Sequence, residues 1–422
     1  MKNTYKYIFQ NEFISNVLKL STSTIFSGIT VAITLPIITT IFSASDLGKY
    51  QLLISIITLF GVVASLKYEM AIVLPEDEIV AEKVFKLCFL VLLIFCLFLG
   101  IILFFAENSL LKIINAESIA EISWLIPFGV FFFGLFEIIK YGLLRKKMFS
   151  EFSLARLYQV LSSQSLMIIF GWIKPTILSL FSAFVTGLVF ASALYIKKSI
   201  IIIKTKLTIS IIKIAVRFKK FPLFNSPMVF ANTLSNELPV FFLAKYYSTE
   251  ILGYYMLANR LLIIPMTLIG TAINKVYFQK ASETFNENKI KVLPLYIKTT
   301  ERLIVLGLLP FIGIIVLSPS IIEIIFGKEW TDSGLIMQIM AIGIFFKFTT
   351  SPVGTTFTVI NKQEIAFYLT LFSLFLRFGV MFYFHESLTS LLWAITLSTT
   401  IYYVIYHFFI YRLLSKISKD NT

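Results

Sequence analysis

Between Pro222 and Tyr246, a stretch apolar enough to cross a membrane carries Asn225, Asn232 and Asn236 at steps of seven and four. That spacing sets three amides on one helical face, and Ser226, Thr233 and Glu237 repeat the same steps on the adjacent face. After a short polar turn, a second apolar helix carries Arg260, Thr267 and Asn274 at steps of seven. An arginine near the middle of a span costs roughly 2.5–3.5 kcal/mol even on the lenient insertion scale, so it turns toward protein or a water-filled cavity. The pair therefore reads as lining a wet, cationic cavity. The alternative is inter-helix hydrogen bonding with a snorkelling arginine.

Further charges sit inside other apolar runs. Lys347 and Arg377 fall near the centres of later spans, and Glu237 is the one acid at comparable depth. The excess positive charge calls for an anionic ligand, or else for pairing within the second half of the chain and with backbone carbonyls. Glu237, beside cations, could exchange protons as an anionic substrate arrives and leaves, which makes it the candidate ion-coupling residue. The hydroxyls Ser21 to Thr24, Ser27, Thr30 and Thr34 extend a polar wall or satisfy their own helix. Glu137 and Lys140 are spaced to form a local pair. Pro239 and Pro265 interrupt the two helices at roughly matching places, which would allow bending.

These residues must be held by membrane helices. Of the 422 residues, 58% are hydrophobic and 14% charged, and the mean hydropathy is +0.87, values outside the range of soluble domains. The polar start Met1 to Asn11 runs into a long span without a cleavage site, so the first span is expected to be retained. At about 20 apolar residues per crossing, the chain reads as twelve spans near 14–42, 48–74, 84–106, 120–143, 154–172, 177–197, 222–246, 252–276, 296–318, 333–360, 365–384 and 389–412. Cys88 and Cys96 share one span, and His385 and His407 lie far apart in sequence. Disulfide, zinc site, cofactor and histidine catalysis find no support.

Lysine and arginine placement sets the orientation. One set of connections holds Lys140, Arg145, Lys146, Lys147 and Arg156, then eight basic residues and no acid from Lys197 to Lys220, then Lys280, Lys289, Lys291, Lys298 and Arg302. The alternate set is rich in acids, so both termini are expected in the cytoplasm. The net charge of +14 is then accounted for without nucleic acid. Residues 1–198 read as an N-terminal six-helix lobe, 199–220 as a basic amphipathic linker on an anionic leaflet or a plain basic loop, and 221–422 as a C-terminal six-helix lobe. Gly48 and Tyr50 pair with Gly253 and Tyr255 at a constant offset. A parallel repeat of this kind predicts a pseudo-two-fold axis along the membrane normal and alternating access between the lobes.

Three blocks carry a resemblance. They are Ser45-Asp46-Leu47-Gly48-Lys49-Tyr50 continuing to Leu66-Lys67-Tyr68-Glu69 and Pro75-Glu76-Asp77-Glu78; Asn232-Thr233-Leu234-Ser235 through Tyr277-Phe278-Gln279-Lys280; and Ile325-Phe326-Gly327-Lys328-Glu329-Trp330 through Asn361-Lys362-Gln363. Over roughly residues 10 to 380 the chain resembles the bacterial polysaccharide-biosynthesis flippases, the O-antigen and capsule repeat-unit translocases of the multidrug/oligosaccharidyl-lipid/polysaccharide exporter superfamily. Lys67 and Lys280 stand where that family often has arginine, which keeps charge without bidentate geometry. The resemblance implies a two-lobed, all-α polytopic fold of twelve helices, with the first, second, seventh and eighth lining a central cavity. It also implies an oligosaccharide on a polyprenyl (undecaprenyl-type) diphosphate as substrate, in the bacterial inner membrane.

On that reading Arg260, Lys347, Arg377 and Lys67 would meet the diphosphate, while Asn225, Asn232, Asn236 and Asn274 would meet sugar. Anionic membrane lipids, and polysaccharide polymerase or chain-length proteins, are candidate partners. A drug exporter of the same superfamily would want acidic residues in its cavity. A membrane-embedded polymerase would want a large outer loop, whereas the longest here is about a dozen residues. No Gly-x-x-x-x-Gly-Lys loop is present for ATP. A transporter and not an enzyme is expected.

Overall fold

The computed structural model describes residues 2–114, 116–199 and 210–420. The helices are, in order, α1 (Lys2–Ile41), α2 (Ala44–Gly61), α3 (Glu78–Ile114), α4 (Ile126–Arg145), α5 (Phe149–Ile173), α6 (Ile177–Ser199), α7 (Ser210–Arg217), α8 (Ser226–Tyr246), α9 (Thr249–Pro265), α10 (Thr271–Glu287), α11 (Val292–Phe326), α12 (Thr331–Thr350), α13 (Thr356–Val359), α14 (Gln363–Tyr383) and α15 (Leu388–Asp420). The protein is an all-α, multi-pass membrane protein. Linker residues 200–209, and the side chains of Ser21 and Thr267, lie outside the described part.

Nine segments among the described residues are long and apolar enough to cross a membrane. The other expected spans fall on α2, α5 and α8, which are helical but carry more polar side chains: Lys49 and Gln51, Gln159 and Gln164, and Asn232, Asn236 and Glu237. Such residues survive in a bilayer by facing protein or water. Gln164 does so by accepting from the Thr34 hydroxyl at 2.8 Å.

By packing, the chain forms two compact units, Met1–Glu250 and Ile251–Thr422. The division at 199–220 expected from sequence follows connectivity; α8 lies beyond that linker but packs with α2 in the first unit. That unit has a core of Phe136, Ile139 and Leu143 from α4, Ala155 from α5, and Leu188, Ala191 and Tyr195 from α6. Gly187 lets α5 and α6 touch, since a Cβ there would lie 2.0 Å from Ser163 Oγ, the small-residue contact membrane helices favour. In the second unit α12 packs on α11 and α15. A Cβ on Gly334 would lie 2.5 Å from Pro319 Cα.

The expected second span is broken. After α2 ends, Leu66 and Lys67 adopt left-handed backbone with φ of 50° and 60°, a conformation costing about 1–2 kcal/mol per residue for a side-chain-bearing residue. A short helical turn, Tyr68–Val73, follows. The break is held from both sides. Glu69, 1% exposed, accepts from Ser65 and pairs with Lys67 at 3.1 Å. Arg145 donates to the Ile72 and Pro75 carbonyls at 3.0 and 2.7 Å and pairs with Glu78 at 2.9 Å. The Arg145 contacts satisfy backbone carbonyls where regular helical bonding is interrupted.

Candidate functional site

In the first unit the polar stripe lies on α8. Asn232 and Asn236 are exposed, and Asn236 donates back to the Asn232 carbonyl at 2.9 Å. One residue further round, Glu237 turns toward α2 and accepts from Ser55 Oγ at 2.6 Å. Ser55 in turn accepts from the Gln51 amide at 3.1 Å. Gln51 and Ser55 are one turn apart on α2, so the relay is a property of that helix face. It gives the Glu237 side chain a donor and ties α8 to α2. Ser226 is buried and Thr233 half-buried, in keeping with a second, protein-facing stripe.

Asn225 directly precedes α8. It closes a π-turn, Phe221–Asn225, and is half-buried. Lys67 is 8% exposed and paired with Glu69.

In the second unit Arg260 lies on α9, Lys347 on α12 and Arg377 on α14. Arg377 is 7% exposed and donates to Thr399 of α15 at 3.4 Å; Arg260 and Lys347 are half-buried. The acids of their three membrane segments, Glu250, Glu283, Glu287, Glu329, Asp332 and Glu364, all lie near the segment ends.

The steps of seven from Arg260 to Asn274 do not give one face. A π-turn, Met266–Gly270, separates α9 from α10. Wider i→i+5 turns shift helical register, and they recur at functional sites. Asn274 instead donates to the Pro352 carbonyl at 2.9 Å, bridging α10 to the turn Ser351–Val353 that breaks the α12–α13 segment. Tyr277, a turn further on, bonds Thr356 at 2.6 Å. Two interrupted helices are thus pinned to each other within this unit.

The hydroxyls of α1 mostly serve packing. Thr30 donates to the Phe26 carbonyl at 2.8 Å, and Ser23 is bonded to Ser153 of α5. Glu137 and Lys140 pair at 2.6 Å. Cys88 and Cys96 are buried and free. Among the described residues no group of His, Cys, Asp and Glu could hold a metal.

With this geometry in place, residues 37–335 match a protein family described as polysaccharide biosynthesis protein. The chain belongs to that family. Capsular polysaccharide biosynthesis protein CapF of Staphylococcus aureus is 24% identical over 209 residues, 47% of this chain and 51% of that protein. The matches span about half the length, or less, of the first curated relatives.

Among solved structures, the lipid II flippase MurJ in an inward closed conformation superposes with a TM-score of 0.77 at 17% identity, over 95% of this chain and 90% of that one. An inward-facing multidrug resistance MATE family transporter of the MOP superfamily gives 0.69 at 15%, over 96% of each. At these identities the likeness is one of fold. The family member described here thus has the two-lobed fold of that superfamily, and its particular residues must carry any argument about cargo.

Proposed function

We propose that the protein is a flippase. It translocates an oligosaccharide repeat unit on a polyprenyl diphosphate from the inner to the outer leaflet of the bacterial cytoplasmic membrane by alternating access of its lobes, with both termini cytoplasmic. The observation that carries the reading is the trio Arg260, Lys347 and Arg377, set inside membrane segments whose acids lie near the ends. Positive charge inside a membrane segment is stabilised further by an anion, and a diphosphate supplies one. The exposed amides of Asn232 and Asn236 offer the donors and acceptors that sugar hydroxyls need. Membership of a polysaccharide biosynthesis family and the likeness to CapF and to the lipid II flippase MurJ support the same class of cargo. We assign Lys67 and Asn274 to holding the two backbone breaks, and place Asn225 at the entrance to α8.

The MATE-like fold favours a second reading, a drug exporter. The three intramembrane cations oppose cationic cargo. The test is a charge series at Arg260, with Lys347→Ala beside it, in proteoliposomes supplied with lipid-linked oligosaccharide. Arg260→Ala and Lys347→Ala each lower translocation while insertion is unchanged, and Arg260→Lys keeps more activity than Arg260→Gln. Equal activity of those last two variants would show that charge at Arg260 is not what matters.

A further inference from the structure

The helix α7 divides into three sectors by its i, i+4 pairs. Ile211 and Ile214 are buried, with Ala215 and Phe218 half-buried beside them, and α7 packs on α3. Ile212 and Val216, one turn apart, are 67% and 59% exposed. Lys213 and Arg217, also one turn apart, are exposed on the next sector. The exposed strip continues through Lys219 and Lys220 to Leu223 and Phe224, which are 60% and 68% exposed. From Lys197 to Ser235 the chain has no acid. A helix docked by one face, with apolar and basic sectors side by side on the free surface, has the chemistry of a seat on an anionic bilayer surface.

Its attachments are specific. Tyr68, 6% exposed and first in the turn after left-handed Leu66 and Lys67, donates to the Ala215 carbonyl at 3.2 Å. That carbonyl is among the last of α7, which lack helical partners. Through the π-turn Phe221–Asn225, α7 runs directly into α8, whose Glu237 accepts from Ser55 of α2. The α2 chain then leads back through the left-handed pair to Tyr68. The contacts close a ring of α2, the strained turn, α7 and α8, all within the first unit.

We infer that α7 is an anionic-lipid site, and that headgroup charge bound there acts through Tyr68 on the strained turn and hence on the α2–α8 pair. The site itself is independent of the cargo; its consequence for translocation rests on the flippase reading. The lipid holds α7 flat by its basic sector while Ile212, Val216, Leu223 and Phe224 enter the headgroup boundary. Left-handed Leu66 and Lys67 are the element able to yield, because their conformation is the least favoured in the ring.

The experiment is hydrogen exchange on the full chain in phosphatidylcholine vesicles, with and without about 30 mol% phosphatidylglycerol, and with no oligosaccharide present. Phosphatidylglycerol should slow exchange in 210–225 and in 61–75 by about tenfold, and about 1 M salt should abolish the effect. Lys213→Glu with Arg217→Glu removes both responses, and the milder Lys219→Gln with Lys220→Gln weakens both. Tyr68→Phe keeps the response of 210–225 and loses that of 61–75. Equal exchange in the two vesicle types, a normal response from the charge-reversed variant, or an equal effect of free glycerol phosphate would overturn the lipid site. A Tyr68→Phe protein in which both segments still respond would overturn the link. Because no cargo is present, failure of translocation assays leaves these outcomes readable.

Discussion

Lys67→Met is the most exposing perturbation of the first unit. Lys67 and Glu69 are buried, sit 3.1 Å apart, and fix a turn already carrying two left-handed residues. Removing the lysine leaves Glu69 with the Ser65 hydroxyl as its donor. Breaking a buried pair from one side costs about 3–5 kcal/mol, because a charge is left without compensation. At roughly 2–4 °C per kcal/mol for a unit of this size, the first unit should melt on the order of 10 °C lower. Replacing both partners by apolar residues removes the stranded charge, so Lys67→Met with Glu69→Leu should recover most of the loss. Thermal unfolding of the purified full chain in detergent reads all four proteins of the cycle. A single variant melting within about 2 °C of the parent, or a double variant melting below both singles, would refute this account of the turn.

Topology is checked by reporter fusions, with Ser43 reporting outside and Thr205 inside; either reversed result contradicts cytoplasmic termini. On the flippase reading the negative charge of the cargo opposes ionisation of Glu237, so substrate binding should tighten as pH falls and the protonated form is favoured. Glu237→Gln, which mimics that form, should bind tightly at every pH. A mutant keeping the parent's pH dependence would leave Glu237 as the structural partner of Ser55 alone.

Much of this was legible before the fold. An apolar run interrupted by Asn232, Asn236 and Glu237 announces a helix with one wet face, because membrane insertion penalises those residues strongly enough to make them conspicuous. The partner of Glu237 was not legible. Ser55 is distant in the chain, and only the packing of α8 on α2 joins them. The Lys67–Glu69 pair was hidden for a local reason: residues two apart face away from each other in a helix, so only the left-handed turn lets them meet. The π-turn Met266–Gly270 has no signal beyond Pro265 before it, and it defeats the heptad spacing that had put Asn274 with Arg260.

The most direct measurement of the central claim is translocation by the purified protein in vesicles loaded with a defined polyprenyl-diphosphate oligosaccharide, compared with protein-free vesicles and with a cationic dye as cargo. The account predicts protein-dependent movement of the lipid-linked sugar to the opposite leaflet, lost on Arg260→Gln, and no dye export. Movement of the dye with a static oligosaccharide, or sugar movement no faster than in protein-free vesicles, would contradict it.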